Sequence, residues 1–235
     1  MKTSRYAVLA AMPAEFDTLR RLGDRYLTRC SGVGPQAAAE TARTLLSDSS
    51  VRGLVSWGTC GGLDPSLAGG TLVVLSRVTS RETGVTHTCA PQLSQQLATL
   101  LKPVRAVVRA GISSTQAIAS AADKAALRQT HQASVVDMES AALAEVAAEA
   151  GIPFLAVRAV VDPAQCTLPA SALAALEAPA HPTRAVLRAL RQHPGDLLAL
   201  IRLGLWHQRA IRALRGAALM MEYAPDFPPA SGPHA

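Results

Sequence analysis

At 235 residues and 49% hydrophobic content, the chain has enough apolar mass for one large α/β domain or two small ones, which excludes a disordered protein. Its net charge of +6 is local: residues 184–216 hold seven arginines against one acid, Asp196, and with only 3% aromatics to supply stacking platforms no nucleic-acid partner is expected. The apolar runs stop well short of the ~18 residues of a membrane span, and Cys30, Cys60, Cys89 and Cys166 form neither a Cys-x-x-Cys pair nor a zinc spacing, so reduced thiols, no metal and a cytoplasmic location are expected.

The first predicted strand, Tyr6–Ala11, follows Lys2 and Arg5, but Glu15 and Asp17 come too soon behind it for a signal peptide. Helices are then predicted over Ala14–Leu22 and Pro35–Ser47, and strands over Gly53–Trp57 and Thr71–Val78. A helix over Ala90–Leu101, a strand over Val104–Ala110, a helix over Ala121–Thr130 and a strand over Ser134–Val136 come next. The helix Met138–Ala150 stops at Gly151 and Pro153, and the strand Pro153–Val161 follows. Short β-branched runs between Ala-rich helices describe a sheet covered on both faces. Asp162–Pro182, rich in Pro and Ala, reads as a lid or linker. The chain thus divides into a catalytic domain over residues 1–190, a basic amphipathic helical tail over 191–222, and a disordered terminus over 223–235 with four prolines.

Three small-residue turns mark the first half: Ser31-Gly32-Val33-Gly34, Gly58-Thr59-Cys60-Gly61-Gly62 and Gly69-Gly70. The second follows a predicted strand, where free N–H groups line a pocket for a polar or anionic ligand, with Thr59 and Gly61 as contact positions. None fits a P-loop or the dinucleotide fingerprint, so no nucleotide cofactor is expected. Among 17 acidic residues, Glu15, Glu139 and Asp162 stand where a strand meets a loop or helix. In a parallel sheet such positions share one edge, and converging carboxylates are what acid/base chemistry requires. The residue types alone leave a second reading open, in which Asp137 and Glu139 cap a helix and Asp162 starts a turn before Pro163.

The segments Val136-Asp137-Met138-Glu139-Ser140-Ala141-Ala142 and Val157-Arg158-Ala159-Val160-Val161-Asp162 resemble the nucleoside phosphorylase and methylthioadenosine/S-adenosylhomocysteine nucleosidase family. The likeness runs back through the glycine turns at 58 and 31 to Ala11-Met12-Pro13-Ala14-Glu15, covering about residues 6–165. It implies a three-layer α/β sandwich with a central mixed sheet, an enzyme that breaks the N-glycosidic bond of a purine nucleoside, and a homo-oligomer. By the same resemblance Glu139 holds the ribose hydroxyls, Met138 packs beneath the sugar, and Asp162 is the general acid to N7 of the departing base. Arg158 orients that acid or contacts the ligand, the alternative being a salt bridge to Glu139.

Glu15 stands where nucleosidases of the family carry the glutamate that activates water. Hexameric phosphorylases have Gly-Asp-Pro there and a phosphate-gripping arginine where this chain has Ser56, so the residues lean towards hydrolysis, with phosphate as a co-substrate only if the reaction is phosphorolysis. Gln116-Ala117 replaces the aromatic that stacks on adenine in nucleosidases. Gly-Gly-Leu-Asp-Pro at 61–65, Val161-Asp162-Pro163-Ala164, Leu168-Pro169 and the Arg/Leu-rich tail resemble the hopanoid-associated phosphorylases, implying adenine release from adenosylhopane. The tail agrees on independent grounds: Asp196–Trp206 is apolar nearly all round and His207–Arg215 is basic and amphipathic, a pattern suited to an anionic membrane surface or, alternatively, to packing on the domain or an oligomer interface. The competing expectations are a soluble nucleosidase or phosphorylase for small nucleosides and a non-catalytic nucleoside sensor.

Overall fold

The computed structural model describes residues 4–178, 181–224 and 227–228. Eight strands form one mixed sheet: β1 (Arg5–Ala10), β2 (Tyr26–Cys30), β3 (Val51–Gly62), β4 (Leu72–Ser80), β5 (Thr86–Thr88), β6 (Val107–Ser113), β7 (Val135–Asp137) and β8 (Phe154–Asp162). β1 lies between β2 and β3, parallel to both. β3 pairs in parallel with β8, β8 antiparallel with β4, β4 in parallel with β6, β6 in parallel with β7, and β7 antiparallel with the end of β3. Five strands therefore close on one another in a ring, which protects their edges.

Alternation along the strands builds a core on each side of the sheet. Tyr6, Val8, Val55, Trp57, Leu155 and Val157 point into one, and Ala7, Leu9, Leu54, Phe154 and Ala156 into the other. The first core is covered by α3 (Pro91–Leu100) and α8 (Leu197–Tyr223), the second by α2 (Pro35–Leu46) and α5 (Ser140–Glu149). The remaining helices are α1 (Pro13–Phe16), α4 (Ala121–His131), α6 (Ala170–Glu177) and α7 (Pro182–Gln192). The expected three-layer architecture with a central mixed sheet and a C-terminal helix is what the structure has.

Local boundaries differ from expectation for identifiable reasons. β2 and β5 were not legible because each is short and half-exposed, with polar or basic residues in place of an apolar run. β6 begins at Val107, since Lys102–Val104 forms a 3-10 turn closed by Arg105 at φ 57°. Gly58–Gly62 is no turn: β3 continues through it, with a register shift between Cys60 and Gly61. The expected lid contains α6, whose Ser171 N–H and hydroxyl both donate to Asp196.

The two readings of the tail divide along α8. Ala210, Leu214, Ala217, Ala218 and Met221 are fully buried in the first core, while the turns before Ala210 stand largely in solvent. The terminus expected to be disordered is anchored at Phe227, whose carbonyl accepts from Arg25 Nη1 and the Tyr26 hydroxyl. Residues 225–226 and 229–235 lie outside the described residues.

Candidate active site

The C-terminal half of β3 gathers the site. Glu15, on the one-turn helix α1 directly after β1, is 2% exposed. Its Oε1 accepts from the Thr59 N–H and hydroxyl, both at 2.7 Å, and its Oε2 from the Met12 N–H at 3.1 Å. Thr59 thus spends both donors on fixing Glu15 rather than offering them to a ligand. A Cβ at position 58 would lie 2.7 Å from Arg158 Nη1 and 2.9 Å from Glu15 Oε2, and one at 61 would lie 3.3 Å from Asp162 Oδ2. Only glycine at 58 lets the arginine and the glutamate approach the strand this closely.

Glu139 arrives from the β7–α5 junction, and the capping reading belongs to its neighbour. Asp137 Oδ1 accepts from the Glu139 and Ser140 N–H groups at 3.1 and 3.0 Å and from the Ser113 hydroxyl at 2.6 Å. The Glu139 side chain caps nothing; its Oε1 accepts from Gly34 N–H at 3.1 Å, in the turn that opens α2. Burial is the main force on this carboxyl and pushes its pKa up to about 7, Arg158 opposing and Asp137 assisting.

Arg158, 1% exposed in mid-β8, orients the opposite side of the site from that expected. Its Nε bridges Asp137 Oδ2 at 2.9 Å, its Nη2 donates to Ser56 Oγ at 2.6 Å and Ser140 Oγ at 2.9 Å, and Glu139 Oε2 lies 3.8 Å away. Among the described residues its ion pairs are with Asp137 and Glu139, and Asp162 is held by a different cation. Lys124, in the first turn of α4, is completely buried, with Nζ 2.6 Å from Asp162 Oδ2, 2.8 Å from the Cys166 carbonyl and 3.2 Å from that of Pro163. Ser120 caps α4 by accepting from Asp123 N–H, which sets the helix start and turns Lys124 inward. Sequence reasoning missed Lys124, because Ala-Asp-Lys-Ala-Ala in an Ala-rich helix has the pattern of a solvated surface. The available signal was its place four residues after a capping serine, where a long side chain reaches back over the helix N-terminus.

Asp162 is pushed up from the ordinary carboxylate range by burial, with Lys124 pulling the other way. Lys124→Met removes that pull, so the pH at which Asp162 loses its proton is expected to rise. In the pH–rate profile the alkaline limb set by Asp162 would move to higher pH, and an unmoved limb would deny the coupling.

The structure thus brings Glu15, Thr59, Gly61, Arg158, Glu139 and Asp162 to one end of the sheet. Met138, half-buried, lines a 210 Å³ cavity with Pro35, Ser113 and Ser114 beside the Glu139 and Asp137 pair. None of the three carboxylates at 15, 139 and 162 lines a described cavity, and the larger ones adjoin the chain after Asp162 through Ala164 and Gln165, or Pro163 and Cys166.

The sequence pattern of the phosphorylase superfamily matches residues 18–192, three-quarters of the chain. The chain belongs to the phosphorylase superfamily. It is an enzyme of the nucleosidase and phosphorylase kind that cleaves N-glycosidic bonds, which removes the sensor reading. A futalosine hydrolase of Streptomyces coelicolor is 30% identical over 190 residues, covering 69% of this chain and 81% of that one. Among solved structures, the methylthioadenosine/S-adenosylhomocysteine nucleosidase of Neisseria meningitidis, in complex with methylthio-immucillin-A, superposes with a TM-score of 0.68 at 17% identity over 93% of this chain and 98% of that one. The futalosine hydrolase of Helicobacter pylori gives a TM-score of 0.66 at 14% identity over 92% and 97%. At these identities the structural likeness establishes the shared fold.

The raised Glu139 carboxyl has a stability consequence. An unfolded glutamate titrates near 4.3, whereas this one titrates at about 7 in the fold. The folded state therefore binds this proton more tightly, and the contribution is present below about pH 4 and lost as pH rises through 7. Glu139→Gln should melt higher than the parent at pH 8, with the advantage shrinking towards pH 5. A constant difference across that range would contradict the titration.

Proposed function

We propose that the protein hydrolyses the N-glycosidic bond of a purine nucleoside, with Glu15 as the base for water and Asp162 as the acid for the leaving purine. The single observation that carries this reading is the buried Glu15 carboxylate, fixed by Met12 N–H and by two Thr59 donors on the same strand segment whose Gly61 lies against Asp162. In the proposed reaction the bond between ribose C1′ and purine N9 breaks with its electron pair going to the base. Asp162 gives a proton to N7, the water oxygen bonds to C1′, and the water's proton passes to Glu15. Glu139 in its ionised form accepts from the ribose hydroxyls and favours the positive charge that builds on the sugar, while Met138 packs beneath the ring.

Hydrolysis is favoured over phosphorolysis because Ser56 Oγ accepts from Arg158 Nη2, and the guanidinium is occupied by Asp137, Ser56 and Ser140. Its remaining nitrogen, Nη1, lies on the side of Gly58 where the Glu15 carboxylate also sits, and that carboxylate would repel a phosphate dianion. The 30%-identical relative is named a hydrolase, which agrees with this choice.

For the substrate we propose an adenine nucleoside carrying a lipid, with adenosylhopane as the concrete candidate, from the resemblance of the 61–65 and 161–169 segments and the Arg/Leu-rich tail. A second reading, a small soluble nucleoside, is supported by the futalosine and methylthioadenosine relatives. A homo-oligomer belongs to the proposal on the same family likeness. Incubation with adenosylhopane, methylthioadenosine and futalosine in turn, with chromatography of the released base, tests the assignment. Adenine from the hopane at the highest kcat/KM supports the lipid substrate; release from small nucleosides alone supports the second reading, and no release from any of the three counts against both.

A further inference from the structure

Of the eight large apolar side chains most exposed among the described residues, five lie between Leu187 and Leu205. Leu197, Ile201 and Leu205 stand 50%, 54% and 52% exposed at successive four-residue steps on α8, with Leu198 beside them at 78%. At about 100° per residue these four fall within an arc of about 100° on the helix. Arg209, Arg212 and Arg215 continue along or beside that face towards the buried half, and all are exposed. On α7, Arg184, Leu187, Arg188 and Arg191 share one exposed face. None of the seven arginines at 184, 188, 191, 202, 209, 212 and 215 forms an ion pair among the described residues.

The exposed half of α8 is fixed in place. Trp206 lies so close over Gly69 that a Cβ there would be 2.5 Å from its Cδ1, and the Arg202 guanidinium stacks 5.2 Å from the Trp206 ring centroid. The aliphatic stripe is thus held out in water beside a half-buried anchor.

We infer that the exposed faces of α7 and the first half of α8 form a docking surface for an anionic lipid bilayer. Aliphatic side chains in a stripe enter the acyl boundary while arginines beside them sit at phosphate level, their stems adding apolar contact. A second copy of the chain fits poorly, because a two-fold contact would set the same seven arginines against themselves with only Asp196 between, and Asp196 is engaged by Ser171. Docking would also bring the bilayer beside the chain that follows Asp162. Arg202, Trp206 and Arg209 share a 380 Å³ cavity with Pro163, Gln165 and Cys166. The surface therefore deepens the lipid-linked reading, yet it is tested without any turnover, so the two can fail separately.

The test is co-sedimentation of the full chain with phosphatidylcholine vesicles, with and without phosphatidylglycerol, at low and high salt. Binding is expected to the anionic vesicles, falling with salt. Arg188→Glu/Arg191→Glu, a change of four charge units, should lower the partition coefficient by nearly three orders of magnitude, at roughly five-fold per unit charge. Leu198→Asp/Ile201→Asp should lower it at least tenfold, and because all four positions are exposed, circular dichroism should report unchanged helix in both variants. No binding to anionic vesicles, or equal binding to neutral ones, would overturn the inference. So would a dimer in solution that Leu198→Asp/Ile201→Asp dissociates while vesicle binding is untouched.

Discussion

Asp162→Asn is expected to lower turnover by roughly two to four orders of magnitude, the range that general acid catalysis supplies. The amide has no proton of suitable acidity for N7, so the purine must depart as an anion. The substitution also leaves the buried Lys124 without its counter-charge, facing an amide oxygen and backbone carbonyls, which costs stability of about 3 kcal/mol at the low end for a broken buried pair. Turnover must therefore be measured per folded molecule. Lys124→Met/Asp162→Asn removes both charges together and is expected to regain much of the stability while regaining none of the turnover. Full activity in a folded Asp162→Asn enzyme would remove the residue from the reaction.

Glu15→Gln is expected to suppress formation of free ribosyl product by about two to four orders of magnitude, because an amide cannot take the water's proton. Its carbonyl oxygen can still accept from Thr59 N–H and hydroxyl, so the side chain should keep its place. The amide nitrogen then faces Met12 N–H, a donor against a donor, for about 1–3 kcal/mol of destabilisation. Single-turnover measurements separate the two effects: loss of the base lowers the chemical rate with bound nucleoside, whereas loss of stability lowers only the active fraction. An unchanged single-turnover rate would mean that another group activates the water.

The convergence of Glu15 and Asp162 was legible in the sequence because strand ends in a parallel arrangement share an edge, and β1, β3 and β8 are parallel neighbours; Glu139 reaches the same place from β7, which runs antiparallel to the end of β3. What could not be read was which charges serve which. Asp137 and Glu139 are two residues apart and equally suited to cap α5, and only the backbone path from β7 decides that Asp137 bonds the helix N–H groups and Glu139 turns away. Arg158 sits four residues before Asp162 on one strand, which puts both side chains on the same face in a regular ladder. A register shift at Cys60–Gly61, opposite the end of β8, and the arrival of α4 give Asp162 to Lys124 instead. The glycines at 58–62 read as a turn because glycine more often marks turns than strands; here they make room for side chains crossing the strand. The exposed apolar half of α8 was visible as a residue pattern, but its division from the buried half depends on where the helix meets the first core.

Water as the nucleophile is tested most directly by product analysis across phosphate concentrations at fixed ionic strength. Hydrolysis activated by Glu15 predicts release of free purine and free ribosyl product in phosphate-free buffer, at a rate unchanged by added phosphate. An absolute requirement for phosphate, with a ribose-1-phosphate-type product, would contradict the role of Glu15 while leaving Asp162 and Glu139 in theirs.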